Sequence, residues 1–235
     1  SANMPMYLPK TFDGGNAPKP GSKWAACFPS TLARKYPVLY ALIAASIYYG
    51  DFGTDLNFYF EMREPCSDLP DTLAPPDDLG TAVLIILLLH PIVLSIADLT
   101  MAGGMGWRGC LLNVFNVRML YSLSIAVGGG EDTAAVAAAA KAAGDCKLFE
   151  AVLESMPQLY IQFVVLLHYE VCIGAPALYS SIAISILSTV FALSTKWEAL
   201  FDTAGNAGLS LAVWVYFIAD SLSRGIAVAM TFGTV

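Results

Sequence analysis

Residues 147–170 read KLFEAVLESMPQLYIQFVVLLHYE, and their reading decides the fold. At about 1.5 Å per residue the stretch is long enough to cross a hydrocarbon core of roughly 30 Å, and most of it is apolar. It also carries a polar stripe. Glu150, Glu154, Gln158 and Gln162 recur at i, i+4 and stack along one helix face, with Pro157 interrupting the backbone bond ladder beside them. Lipid cannot satisfy such a stripe. Length and flanks predict a membrane helix whose polar face turns toward other helices or a water-filled path. Periodicity alone would also fit an amphipathic core helix of a soluble protein.

Composition argues for the membrane. Apolar residues are 57% of the 235 and charged residues 13%, where soluble domains average about 25% charged; the mean hydropathy is +0.62. The net charge of −7, without any Lys/Arg cluster, excludes a nucleic-acid-binding face. Five cysteines (Cys27, Cys66, Cys110, Cys146, Cys172) show no CxxC or related metal spacing, and an odd number does not complete a disulfide framework. No GxSxG, HExxH, Walker or GxGxxG motif occurs in a strand-to-helix context, so the chain reads as no enzyme, with no metal site and no cofactor. His90 and His168 are far apart in sequence and are expected to be satisfied by local partners rather than to ligate metal.

Taken from the N-terminus, residues 1–35 are rich in Pro and Gly, with Lys10, Lys19, Lys23, Arg34 and Lys35 against a single acid, Asp13. They are expected to form an irregular basic arm, followed by one transmembrane helical domain over residues 36–235. The first span covers 36–62, with Pro37 at its start and aromatic residues near both ends. Asp51 and Asp55 lie inside it one turn apart, with Gly50 and Gly53 nearby. Residues 61–78 form an acidic loop, and the charge bias across the first span predicts a cytoplasmic N-terminus with this loop outside.

The second span is 79–101, with a kink expected at His90-Pro91 and Asp98 near its end. Residues 110–127, interrupted by Asn113, Asn116 and Arg118, read as either a span or a re-entrant segment. Residues 131–143 read as a separate Ala-rich helix. Spans over 176–195, with Ser180, Ser181, Ser185 and Ser188 as a packing face, and over 207–235, containing the i, i+4 pair Asp220 and Arg224, complete the bundle. A short polar connection is expected over 196–206. The fold class is therefore all-α, a polytopic transmembrane bundle of five to six membrane helices with one candidate re-entrant segment. The last apolar run meets Val235 without a polar tail, and the chain reads as a piece of something longer.

Asp51, Asp55, Asp98, Glu154, Asp220 and Arg224 all fall within or near apolar spans. A charge at a helix centre costs about 2.5 to 3.5 kcal/mol on insertion scales, so six facing lipid would cost on the order of 15 to 20 kcal/mol. They are therefore expected to face one another, water or headgroups. Interhelical ion pairs, for example Arg224 with Glu154 or Asp55, are one outcome. The excess of acid over the one available Arg favours a hydrated polar groove.

Three separated segments resemble one family, the XK and XK-related membrane proteins. DFGTDL (51–56) resembles the family's first-helix D-I-G-T-D-L signature, with Phe52 in place of Ile. FEAVLESMPQLYIQ (149–162) resembles its F-E-x-x-L-E-S-x-P-Q-L-x-x-Q helix, and FALSTKWEALF followed by SRGIAVAM (223–230) is similar to its downstream Arg-containing tract. The resemblance implies an all-helical fold with cytoplasmic termini and a stairway of charged residues inside the bilayer. By motif position these are Asp51, Asp55, Glu150, Glu154 and Arg224.

Several family members scramble phospholipids between leaflets without ATP after caspase cleavage of a C-terminal tail, and others have partner-binding roles. Passive phospholipid scrambling along a polar intramembrane groove, in the plasma membrane, is the function that this implies. The residues of the lipid path would be Asp51, Asp55, Asp98, Glu150, Glu154, Gln158, Asp220 and Arg224, and the partners membrane lipids. The alternative is a non-catalytic subunit of a large membrane supercomplex, photosynthetic or respiratory, in an organellar membrane, with other membrane subunits as partners. Ion or proton transport along the carboxylates is a third reading.

Overall fold

The computed structural model describes residues 29–63, 77–100, 105–129, 133–169, 175–201 and 207–232. All regular structure among them is helical. The helices are α1 (Pro29–Lys35), α2 (Pro37–Arg63), α3 (Asp77–Thr100), α4 (Gly106–Val114), α5 (Arg118–Gly128), α6 (Thr133–Glu150), α7 (Met156–His168), α8 (Ala175–Phe201) and α9 (Ala207–Phe232). A single π-helical turn, Ala151–Ser155, joins α6 to α7.

The basic arm, expected to be irregular through Lys35, ends in helix instead. Pro29 supplies the preset φ of a helix start, and Arg34 and Lys35 complement the dipole in the last turn. Leu32 then packs with Tyr40, Ala44, Ala140 and Phe191. The rest of the arm, residues 1–28, lies outside the described residues, as do Glu64, Asp68 and Asp71 of the acidic loop. Asp77 and Asp78, read as part of that loop, open α3, where the helix dipole favours acids. Lys196, read as the start of a polar connection, lies within α8 and pairs with Asp145 of α6.

The Ala-rich segment is not a separate helix. α6 runs through Gly144 without a break, since that glycine lets Tyr40 approach: a Cβ there would stand 2.7 Å from the Tyr40 hydroxyl. The π turn then carries the rod past Pro157, which has no N–H to give. Met156 donates its N–H five residues back to the Ala151 carbonyl, a local register that absorbs the proline without ending the helix. With α2, α3 and α8 packed around it, the α6 to α7 rod is the centre of the bundle.

Among the described residues three helices are long and apolar enough to cross a membrane: Asp77–Thr100, Pro176–Trp197 and Gly208–Thr231. The count becomes four if α4 and α5, bent by 110° at a short break, form one span. That bend falls where Asn116 adopts a positive φ of 53°, a conformation that Asn tolerates better than most residues. The α2 helix and the α6 to α7 rod, both expected as spans, are not among the apolar ones. Tyr and Asp residues dilute the first and the polar stripe dilutes the second, and both turn those groups into the protein. By helix length and composition, this is a membrane protein.

Apolar side chains pack at both ends of the bundle and leave a polar belt between. At one end Phe58, Val83, Leu87, Leu159, Phe163, Leu178 and Ile182 form one cluster. At the other, Ala45, Tyr48, Leu94, Met119, Ala143 and Cys146 form a second, beside that of Tyr40 and Phe191. Between them along α2 lie Asp51 and Asp55, along α3 His90, and along α8 Ser181, Ser185 and Ser188.

Candidate functional site, a buried polar ladder

The stripe of the central rod faces inward along its whole length. Lys147, Glu150, Gln158 and Gln162 are each 0% exposed and Glu154 1%. The π turn adds one residue to this face. Because its register is i to i+5, Ser155 stands one turn beyond Glu150, with its hydroxyl 3.2 Å from the Glu150 carboxylate. From Lys147 to Gln162 the ladder runs about 22 Å along the helix.

Its first rung is an ion pair. Lys147 Nζ donates to Glu150 Oε2 and to Ser188 Oγ of α8, and lies 5.9 Å from the centre of the Tyr48 ring. At the next rung Asp51 of α2 accepts from Ser155 at 2.5 Å and from Ser185 at 2.9 Å. Glu154 Oε2 stands 3.4 Å from His90 Nδ1 of α3, and the His90 ring meets Tyr48 edge to face. Farther along, Asp55 Oδ1 accepts from both Gln162 Nε2 and Ser181 Oγ at 2.8 Å, while Gln158 Nε2 donates to the Val83 carbonyl at 3.3 Å. Three helices thus supply hydroxyls, carboxyls and an imidazole to the fourth.

The ladder is rich in acceptors. Among the described residues, Asp55 Oδ2, Glu154 Oε1, Gln158 Oε1 and Gln162 Oε1 have no hydrogen-bond donor, and His90 Nε2 has no partner. Four carboxyl groups, those of Asp51, Asp55, Glu150 and Glu154, face a single lysine. A group that brings positive charge or N–H donors is what such a surface takes up.

Of the eight residues expected along a polar path, five converge here: Asp51, Asp55, Glu150, Glu154 and Gln158. Asp98 is buried elsewhere, at the corner of α3, α4 and α5. It accepts from Arg118 Nη1, from Asn113 Nδ2 at 2.9 Å and from the Met105 N–H at 3.2 Å. Gly109 makes room for it, as a Cβ there would come within 2.3 Å of its carboxylate. Asp220, partly buried, and Arg224, exposed, lie on α9 away from the ladder and pair with each other, with Arg224 Nε donating to the Asp220 oxygens at 2.9 and 2.8 Å. The expected pairing of Arg224 with Glu154 or Asp55 is therefore replaced by local pairs. Helical side chains lean toward the N-terminus, so Arg224 reaches back one turn on its own helix, and Glu154 meets His90.

Sequence reasoning missed the cation of the ladder. Lys147 is three residues before Glu150 and seven before Glu154, on the same face, but its place at the edge of the apolar stretch makes it read as a flank. His90 finds a side-chain carboxylate, whereas His168 meets the Ala229 carbonyl at 2.7 Å. Ser181, Ser185 and Ser188 are ladder donors rather than a mere packing face, and Ser180 is exposed, donating to its own helix. Among the described residues no group of three or more His, Cys, Asp or Glu is arranged to hold a metal ion. No family model, no curated protein and no solved structure matches the chain.

Proposed function

We propose that the chain is an XK-related-like membrane protein in which the buried ladder is the closed form of a path for phospholipid headgroups, used for passive scrambling between leaflets. On this reading α2 and the α6 to α7 rod cross the bilayer beside the apolar helices, with α4 and α5 as a span or a re-entrant pair, giving five to six membrane segments. The plasma membrane is the location that the family resemblance favours. No bond is made or broken, and the protein is not an enzyme.

The observation that carries the reading is the ladder itself: polar groups from four elements continue over about 22 Å, most of a hydrocarbon thickness. Moving a headgroup through hydrocarbon costs its full desolvation, and a row of hydrogen-bonding groups replaces lost water. Lys147, rather than Arg224, would meet the phosphate. The free oxygens of Asp55, Glu154, Gln158 and Gln162 would meet a choline or ethanolamine group. The apolar clusters around Phe58 and Phe163 at one end, and around Tyr48 and Met119 at the other, would part to admit it. The test is reconstitution into vesicles holding acyl-labelled fluorescent phosphatidylcholine, with dithionite added outside. Scrambling exposes the inner-leaflet dye to the quencher, and protection equal to that of protein-free vesicles refutes the reading.

An accessory subunit of a larger membrane assembly is the second reading, and the ion pair of α9, away from the ladder, favours it. A chain that protects the inner dye and purifies in fixed stoichiometry with other membrane subunits would put it ahead.

A further inference from the structure

Asp220 and Arg224 are the only charged residues of α9; Arg224 is exposed at the side of the bundle and Asp220 is partly buried beside it. Asp220 falls at the middle of the apolar span Gly208–Thr231, and Arg224 is about 6 Å farther on. Arg224 reaches back toward the span's centre to its partner, with 61% of its side chain exposed. Only its Nε is engaged. Among the described residues the two terminal guanidinium nitrogens meet no acceptor, and a lipid acyl chain offers none. The inner side of α9 is already packed, with Gly225 against the Phe163 ring and Ala229 buried, and the pair stands on the flank of that side, since Ser221, one turn before Arg224, and Val213, two turns before Asp220, are buried too.

We propose that this flank of α9 is the contact between two copies of the chain, α9 against α9 in parallel about a two-fold axis along the membrane normal. The argument is charge complementarity. Under such an axis equal residues share one depth, so the partner's Arg224 lies one turn from Asp220, and each guanidinium's free nitrogens reach the other copy's carboxylate. The surface is its own complement. The row beside the pair permits the approach, since Ala219, Ser223 and Ala227 follow at i, i+4 and are exposed. This contact does not depend on the lipid-path reading.

The experiment counts photobleaching steps of the full chain, one fluorophore per copy, in vesicles of phosphatidylcholine at high dilution. The wild type is expected to bleach in two steps. Asp220→Arg and Arg224→Asp, each alone, place like charges in apposition and should give about tenfold fewer pairs. Co-reconstituted in two colours, these two variants should pair with each other. Ser223→Leu keeps both charges and should also cut pairing about tenfold at unchanged thermal stability; it decides the question if the charge reversals fail to insert. Single-step bleaching of the wild type, wild-type pairing in Ser223→Leu, or folded reversal variants that do not pair with each other would each overturn the proposal.

Discussion

Lys147 and Glu150, both wholly buried, form an ion pair within one turn of α6 and share Ser188 of α8. Removing one partner of such a pair leaves a buried charge uncompensated, at a cost of about 3–5 kcal/mol, whereas replacing both is close to neutral. Lys147→Met is therefore expected to lower Tm in detergent by about 6 to 20 °C. Adding Glu150→Leu to it should recover most of that loss. Additive losses in a thermal melt of the double variant would show that the pair is not coupled.

Gly144 sets a contest between two effects. In a helix interior Ala is favoured over Gly by about 1 kcal/mol, but here its Cβ would press on the Tyr40 hydroxyl at 2.7 Å, an overpacking cost of about 1–3 kcal/mol. Gly144→Ala is expected to destabilise in the wild-type background. In a Tyr40→Phe background, where the nearest ring atom is the Tyr40 Cζ position at 3.6 Å, the same change should be neutral or stabilising. Equal effects in the two backgrounds, by thermal melt, would contradict the packing account.

Asp98 holds the α4 and α5 pair to α3 through Arg118, Asn113 and the Met105 backbone. Gly109→Ala intrudes on its carboxylate and should increase hydrogen exchange in residues 106–128 while leaving α8 protected. Uniform protection after the substitution would place the anchor elsewhere.

If α2 crosses the bilayer as proposed, the charge bias across it predicts a cytoplasmic basic side. Cys66, outside the described residues, should react with an impermeant maleimide added to intact cells. Labelling of a free Cys66 thiol only after permeabilisation would reverse the topology.

The apolar helices α3, α8 and α9 were legible because apolar length is a local signal, and the inward turn of Asp51, Asp55 and Glu154 follows from what lipid cannot solvate. Three things were not. Pro157 marks a broken bond, but the remedy, a π turn that brings Ser155 onto the Glu150 face, depends on hydroxyl and carboxyl partners from α2 and α8. Lys147 and His90 gain their roles only when α3 and α8 are set around the rod. An isolated Arg in an apolar span needs a carboxylate, which points Arg224 toward the core, yet the carboxylate one turn earlier on its own helix satisfies it.

The most direct test of the lipid path uses Asp55→Asn and Glu154→Gln, which keep shape and remove charge at two residues whose carboxylates each have an oxygen without a donor. Reconstituted with fluorescent phosphatidylcholine and quenched from outside, the wild type should scramble faster than protein-free vesicles. Each variant, with Tm close to wild type, should scramble at least about tenfold more slowly, a barrier increase near 1.4 kcal/mol. Folded variants that scramble at the wild-type rate would contradict a path through the ladder.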